Sequence, residues 1–244
     1  MAMNAEAMSP FGAALSAFFG GEQDAELLLC RDDGLVVPLP MTAFFRARGE
    51  FSEIEAAALD ACTGHVLDGG AGSGLHTLPL QERGLPVTAV DVSRAAVAVM
   101  SERGVFDARQ ADLTVFNGGL FDTLLLLGHG VGMVEHLDGL DRFLKHAQTL
   151  VSPSGKLLIH STDVRMTDES VHLAYHDRNR QAGRYIGVSR LYLEFKSESG
   201  TSSDWLLVEP DTLREHAATA GWDCEILRQE TTGEYLAQLR QRQS

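Results

Sequence analysis

Short apolar runs alternate along much of this chain with stretches in which apolar side chains recur every three or four positions. Residues 65–68 (His-Val-Leu-Asp) and 86–91 (Pro-Val-Thr-Ala-Val-Asp) are brief runs that each end in an acid. Residues 121–127 (Phe-Asp-Thr-Leu-Leu-Leu-Leu) are almost unbroken apolar sequence, the pattern of a central parallel strand covered on both faces. Residues 105–110 and 157–160 read as further strands, and residues 75–83, 93–102 and 140–150 carry helical spacing. From residue 61 onward the predicted rhythm is therefore strand, helix, strand, which points to an α/β fold built on a doubly wound parallel sheet.

The flanking sequence departs from that rhythm. Residues 10–19 read as a helix, residues 27–30 and 35–39 as a hairpin about Asp33-Gly34, and residues 52–61 as a helix. Ser52 stands at the N-cap of that helix and Glu55 at its capping-box position. After Thr162 the alternation breaks again: residues 171–181 form a predicted helix, and residues 188–197 and 203–208 a hairpin. A helix from Pro210 to Gly221 and a closing antiparallel pair over 222–228 and 233–239 complete the pattern. The expected organisation is a single domain over 1–244, with an N-terminal extension or lid (1–60), a core (61–160 and 210–244) and an inserted cap (161–209).

Between the first strand and its helix lies Asp68-Gly69-Gly70-Ala71-Gly72-Ser73-Gly74. Glycines this dense suit a backbone that turns sharply and lets a ligand approach with no Cβ in the way. The following helix turns its N-terminal amides toward that ligand, so a nucleotide-type cofactor site is predicted. The dinucleotide fingerprint Gly-x-Gly-x-x-Gly fails in both registers, since Leu75 and Thr77 occupy the required glycine positions. Asp68-x-Gly70-x-Gly72-x-Gly74 resembles instead motif I of the class I S-adenosylmethionine-dependent methyltransferases. The chemistry agrees: a pyrophosphate needs an anion nest, whereas S-adenosyl-L-methionine carries a sulfonium and an ammonium that an adjacent acid favours. The general look is that of bacterial small-molecule methyltransferases of unassigned substrate.

The resemblance implies a Rossmann-like seven-stranded sheet with an antiparallel last strand, and S-adenosyl-L-methionine as cofactor. Asp68, Gly69, Gly70, Gly72 and Gly74 belong to the cofactor loop. Asp91, 23 positions after Asp68, sits where a doubly wound sheet places the carboxylate that grips ribose hydroxyls, with Val92 beside it. Asp112 and Leu113 match the family's adenine-binding position. Gly128 would let backbone carbonyls approach the cofactor's ammonium. Phe44, Phe45 and Arg46 are lid candidates, with Arg46 facing the methionine carboxylate. The implied activity is methyl transfer to an O, N or S atom of a small metabolite.

Residues 128–132, Gly-His-Gly-Val-Gly, are the most unusual stretch after the loop. His129 is expected to act as general base or to orient the acceptor; the competing structural role is a hydrogen bond that shapes the loop. From the cap, Tyr175, His176, Arg180, Tyr192 and Trp205 are candidates for the substrate wall. His172 and His176 lie at i, i+4 spacing but no third ligand accompanies them, and no metal is expected. His65, His146, His160 and His216 receive structural readings. An Asn/Asp-Pro-Pro-Tyr/Phe motif, which marks amino-methylating enzymes of nucleic-acid bases and protein amides, is missing.

Composition narrows the partners. A net charge of −14 opposes phosphate backbones, so no nucleic acid is expected. Cys30, Cys62 and Cys224 form no Cys-x-x-Cys, which suits a reducing cytoplasm. The apolar residues 11–19 are too few to span a membrane, and none is expected as a partner. The expected partners are a small-molecule substrate and, as an option, a second copy in a homodimer. Three other functions share the pattern: intramolecular alkylation by the same cofactor, NAD-dependent oxidoreduction, and non-catalytic nucleotide binding.

Overall fold

The computed structural model describes residues 5–242. In chain order the elements are α1 (Ser9–Phe19), β1 (Glu26–Arg31), β2 (Val36–Pro40), α2 (Glu53–Ala61), β3 (Val66–Gly69), α3 (Thr77–Glu82), β4 (Val87–Asp91), α4 (Arg94–Glu102), β5 (Ala108–Gln110) and β6 (Phe121–Leu126). There follow α5 (Leu137–Ala147), β7 (Val151–Thr162), α6 (Ser170–Gln181), β8 (Val188–Phe195), β9 (Glu198–Ser199), β10 (Ser203–Leu206), α7 (Pro210–Thr219), β11 (Trp222–Gln229) and β12 (Glu234–Gln241). None of the helices among the described residues is long and apolar enough to cross a membrane.

A seven-stranded sheet runs in the order β11-β12-β7-β6-β3-β4-β5. β3 pairs in parallel with β4 and β6, β4 with β5, and β6 with β7, whereas β12 runs antiparallel to both β7 and β11. This is the predicted Rossmann-like arrangement. Because side chains alternate along a strand, the apolar run of β6 feeds two cores. Leu124 and Leu126 pack with Leu140, Phe143 and Leu144 of α5 and Leu213 of α7. Leu125 and Leu127 pack on the other face with Ile54 and Leu59 of α2 and Leu80 of α3. Ser52 caps α2 as predicted, its side chain accepting from Glu55 N–H while Glu55 accepts from Ser52 N–H.

The extension and the cap, expected as separate pieces, are hydrogen-bonded into one five-stranded sheet. Its order is β10-β8-β1-β2, with β9 on β8, and the joint is the antiparallel β1–β8 pairing from Leu28↔Glu194 to Arg31↔Leu191. Once β1 and β2 form their hairpin, β1 keeps one open edge, and β8 fills it. Helix α1 clamps this sheet to the core: Phe11 and Leu15 pack with Leu27, Leu191 and Leu193 on one side and with Ala96 and Val99 of α4 on the other. Two boundaries also moved. Helix α3 starts at Thr77 rather than 75, because the glycine turn continues through residue 76. Strand β7 starts at Val151, with a register irregularity before Lys156.

The return from cap to core is fixed by buried polar contacts. Tyr235, fully buried in β12, donates its hydroxyl to the Val208 carbonyl at 2.5 Å. Val208 N–H donates to Ser161 Oγ at 3.0 Å. Tyr235→Phe leaves that carbonyl without its donor and should cost about 1–3 kcal/mol of stability, seen in urea denaturation as a lower midpoint with an unchanged slope.

Candidate functional site

A cavity of about 480 Å³ lies between the carboxyl ends of β3, β4 and β6 and the inner face of the second sheet. This is where open α/β sheets hold their ligands. Gly70, Gly72, Asp91, Val92, Asp112, Leu113, Gly128, His129, Arg46 and Trp205 all line it.

The glycine turn is pinned from the neighbouring strand. Asp91 Oδ2 accepts from Gly72 N–H at 2.9 Å and Oδ1 accepts from Ser93 N–H at 2.8 Å. Burial raises the Asp91 pKa against those two donors. Gly70 and Gly72 adopt φ of +73° and +56°, where an L side chain is strained, and a Cβ at either would point toward Met133 or Phe11 of the cavity wall.

Of the expected cofactor-loop residues, Asp68, Gly69 and Gly74 lie behind the loop rather than on the cavity. Asp68 is buried and accepts from the Thr77 hydroxyl at 2.6 Å, steering the start of α3; burial raises its pKa. A Cβ on Gly69 would stand 2.4 Å from Leu113, and one on Gly74 would stand 2.9 Å from Val105. Their bareness lets the loop lie flat on its neighbours.

The other strand ends contribute polar and apolar walls. Asp112 Oδ1 accepts from Thr114 N–H and Oγ1 at 2.8 and 2.7 Å, and Leu113 is buried beside it. Gly128 and His129 are both left-handed, at φ +57° and +59°. His129 Nε2 lies 2.8 Å from Thr162 Oγ1. The ring opens on the cavity, yet burial on its protein side lowers its pKa to about 4, so the imidazole is neutral at pH 7.

A charged knot ties the N-terminal segment to the loop. Arg46 meets Glu55 in two contacts of 2.8 and 3.1 Å and donates to the Ala43 and Glu50 carbonyls. His76 Nε2 lies 2.9 Å from the same carboxylate, and the Ser73 hydroxyl donates to the Phe44 carbonyl. Burial pushes the Glu55 pKa up, but His76, Ser52 N–H and Arg46 together outweigh it and hold the group at about 2.

The cap reaches the cavity mainly through side chains other than those expected. Leu191 and Leu193 of β8 face the cavity, so Tyr192 between them points to the opposite face of the sheet by strand alternation. Tyr175 is buried, donating to Asp32 at 2.8 Å and accepting from Arg190 N–H at 3.0 Å. His176, although buried, does not line the cavity, and Arg180 is exposed against Asp177 at 2.6 Å. Of the cap candidates, Trp205 alone lines it, its indole filling the space a Cβ on Gly132 would need. Phe45 turns away, packing on Phe18 with Arg103 over its ring, and Phe44 takes the lining position. The sequence reading missed Phe11, Glu55, His76 and Met133 as lining residues. Glu55 was visible as a capping residue, and nothing in the sequence placed the others.

Residues 67–159 match the family model described as "Methyltransferase domain". A solved S-adenosylmethionine-dependent methyltransferase from Bacteroides fragilis, in complex with S-adenosyl-L-homocysteine, is 31% identical, with a TM-score of 0.86 over 100% of this chain and 98% of that one. A sugar N-methyltransferase from Streptoalloteichus superimposes with a TM-score of 0.56 at 18% identity, over 86% of this chain and 96% of that one, and shares the fold. A curated protein of Coxiella burnetii, "Ubiquinone biosynthesis O-methyltransferase", is 24% identical over 64% of this chain. The chain spans 62% of the length of that relative.

The depressed pKa of Glu55 has a consequence for folding. A carboxyl held lower in the folded state than its free value of 4.5 stabilises the fold fully above that value and loses the contribution as pH falls toward about 2. Glu55→Gln should therefore melt several degrees lower than the parent at pH 7, and the gap should close over that acid window. Thermal unfolding across the range checks this; a gap that stays constant to the acid limit would contradict it.

Proposed function

The chain belongs to the class I S-adenosylmethionine-dependent methyltransferases, and from that premise we propose that it methylates an O, N or S atom of a small metabolite whose apolar body lies under the second sheet. The observation that carries the reading is the Asp91 carboxylate, held by the amides of Gly72 and Ser93 beside bare Gly70 and Gly72. These residues fit the cofactor: a bidentate acceptor for vicinal hydroxyls, a loop whose added Cβ atoms would crowd the cavity, and an acid in place of an anion nest. Asp91 and Val92 would hold the ribose, Asp112 and Leu113 the adenine, and Gly70, Gly72 and Gly128 the aminoacyl arm through backbone. Arg46 would reach the carboxylate only by sharing its guanidinium with Glu55.

S-adenosylmethionine, when bound, would supply a methyl carbon that an aligned nucleophile attacks, the carbon–sulfur bond breaking to leave S-adenosylhomocysteine. The protein's part is to align and desolvate that nucleophile. Leu27, Leu29, Leu39, Leu191, Leu193 and Trp205 line the cavity and keep water from the acceptor. Between the two roles open to His129, its pKa of about 4 favours orientation, because so weak a base takes up little proton near neutrality. The name of the curated relatives supports oxygen among the three acceptor atoms. The free cysteines are in keeping with a cytoplasmic setting.

Calorimetry with S-adenosylhomocysteine should give one site per chain. Asp91→Ala, losing hydrogen bonds from a charged group worth about 1.5–3 kcal/mol each, should weaken it at least ~10-fold. Incubation with S-adenosylmethionine and fractionated metabolites should release S-adenosylhomocysteine. No heat with either cofactor form, or methylthioadenosine released without any acceptor, would overturn the reading.

A further inference from the structure

Three side chains from separate parts of the chain converge beside the cavity, of which His129 is the one that lines it. His129 follows β6, His160 lies in β7 and Glu234 opens β12. The antiparallel register sets Glu234 opposite Thr162 and Leu236 opposite His160, which brings the carboxylate over the histidine. Glu234 Oε1 is 3.6 Å from His129 Nε2 and 3.8 Å from His160 Nε2, and one donor atom from each residue falls within 4.8 Å of the others.

The arrangement carries costs. His160 is only 6% exposed, and neither of its ring nitrogens finds a hydrogen-bond partner among the described residues. Each such orphan costs about 1–3 kcal/mol. His129 sits in the left-handed region, a strain of about 1–3 kcal/mol for a residue with a Cβ. A proton relay does not account for the pair, since the rings stack with centroids 4.2 Å apart and planes tilted by 34°, and no hydrogen bond joins them.

We propose that His129, His160 and Glu234 form a binding site for a divalent transition-metal ion of the zinc, iron or manganese type, reached from the cavity by way of His129. Two imidazoles and one carboxylate are a donor set such ions accept, and three protein ligands leave positions free for a substrate oxygen. Bonds of about 2.1 Å at tetrahedral angles set donor atoms about 3.4 Å apart, so the 3.6 and 3.8 Å from Glu234 to the two histidines need a contraction of a few tenths of an ångström, and the histidine nitrogens, within 4.8 Å of one another, close the third side by turning their rings. The Thr162 hydroxyl, now 2.8 Å from His129 Nε2, would pass to the edge of the ion. The metal's use depends on the methyl-transfer reading, since it would lower the pKa of an acceptor hydroxyl; its existence does not.

The test uses the full chain freed of metal with a chelator, then titrated with Zn²⁺ by calorimetry and with Co²⁺ by visible absorption. One ion per chain is expected, with a ligand-field band for Co²⁺ and a rise of several degrees in melting temperature. His160→Ala and Glu234→Gln should each weaken binding by more than the about 10–100-fold that loss of an outer-shell partner costs. Glu234→Gln, at a half-exposed position, keeps the comparison sound should His160→Ala fold poorly. No binding, or equal Zn²⁺ affinity in the parent and Glu234→Gln, would overturn the site. Titration of the same samples with S-adenosylhomocysteine separates the two readings, because cofactor binding without metal binding sinks only this one.

Discussion

The grip of the Asp91 carboxylate on the amides of Gly72 and Ser93 is the constraint on which the rest of the site depends. It joins the end of β4 to the turn after β3 and to the start of α4, so three elements meet at one buried group. A buried carboxylate is expensive, and here each oxygen receives a backbone donor that turn geometry alone would not deliver. The left-handed glycines permit the turn, and the acid selects that turn over other conformations glycine allows. With the turn fixed, Leu113 can press against Gly69, and the cavity acquires a floor.

A second set of charges fixes the roof. Arg46, Glu55 and His76 form a compact knot across α2, the segment before it and the glycine turn. Because Glu55 also closes the capping box of α2, one carboxylate serves helix initiation and cavity closure together. The roof and the floor are thus linked through groups that belong to local structure on both sides, and a change at either would be felt at the other.

The core was legible because its signals are local. Strands β3 and β4 end in a glycine and an acid, Asp112 and Gly128 follow two residues after β5 and β6, and the helical spacing between strands is clear. Leu124 to Leu127 announce a strand buried on both faces before any contact is known. The second sheet was not legible, because pairing between β1 and β8 depends on an open edge and not on any residue pattern. Tyr192 shows the same limit at one residue: its chemistry suited a binding wall, but the parity of β8 gives that face to Leu191 and Leu193. Tyr175 was equally attractive and is used up by Asp32 and the backbone of Arg190. His160 received a structural reading, and its neighbour Glu234 is brought beside it only by the pairing of β12 with β7.

The β1–β8 ladder carries a lesson for anyone wishing to change what this enzyme accepts. Its roof is woven from two stretches that lie far apart in the gene, each supplying leucines to the same ceiling: Leu27 and Leu29 from one, Leu191 and Leu193 from the other. Transplanting the inserted segment from a relative would bring in a strand with no mate cut to match it. Exchange of specificity between homologues should therefore travel as a matched pair of segments, the first forty or so residues moving together with the insertion.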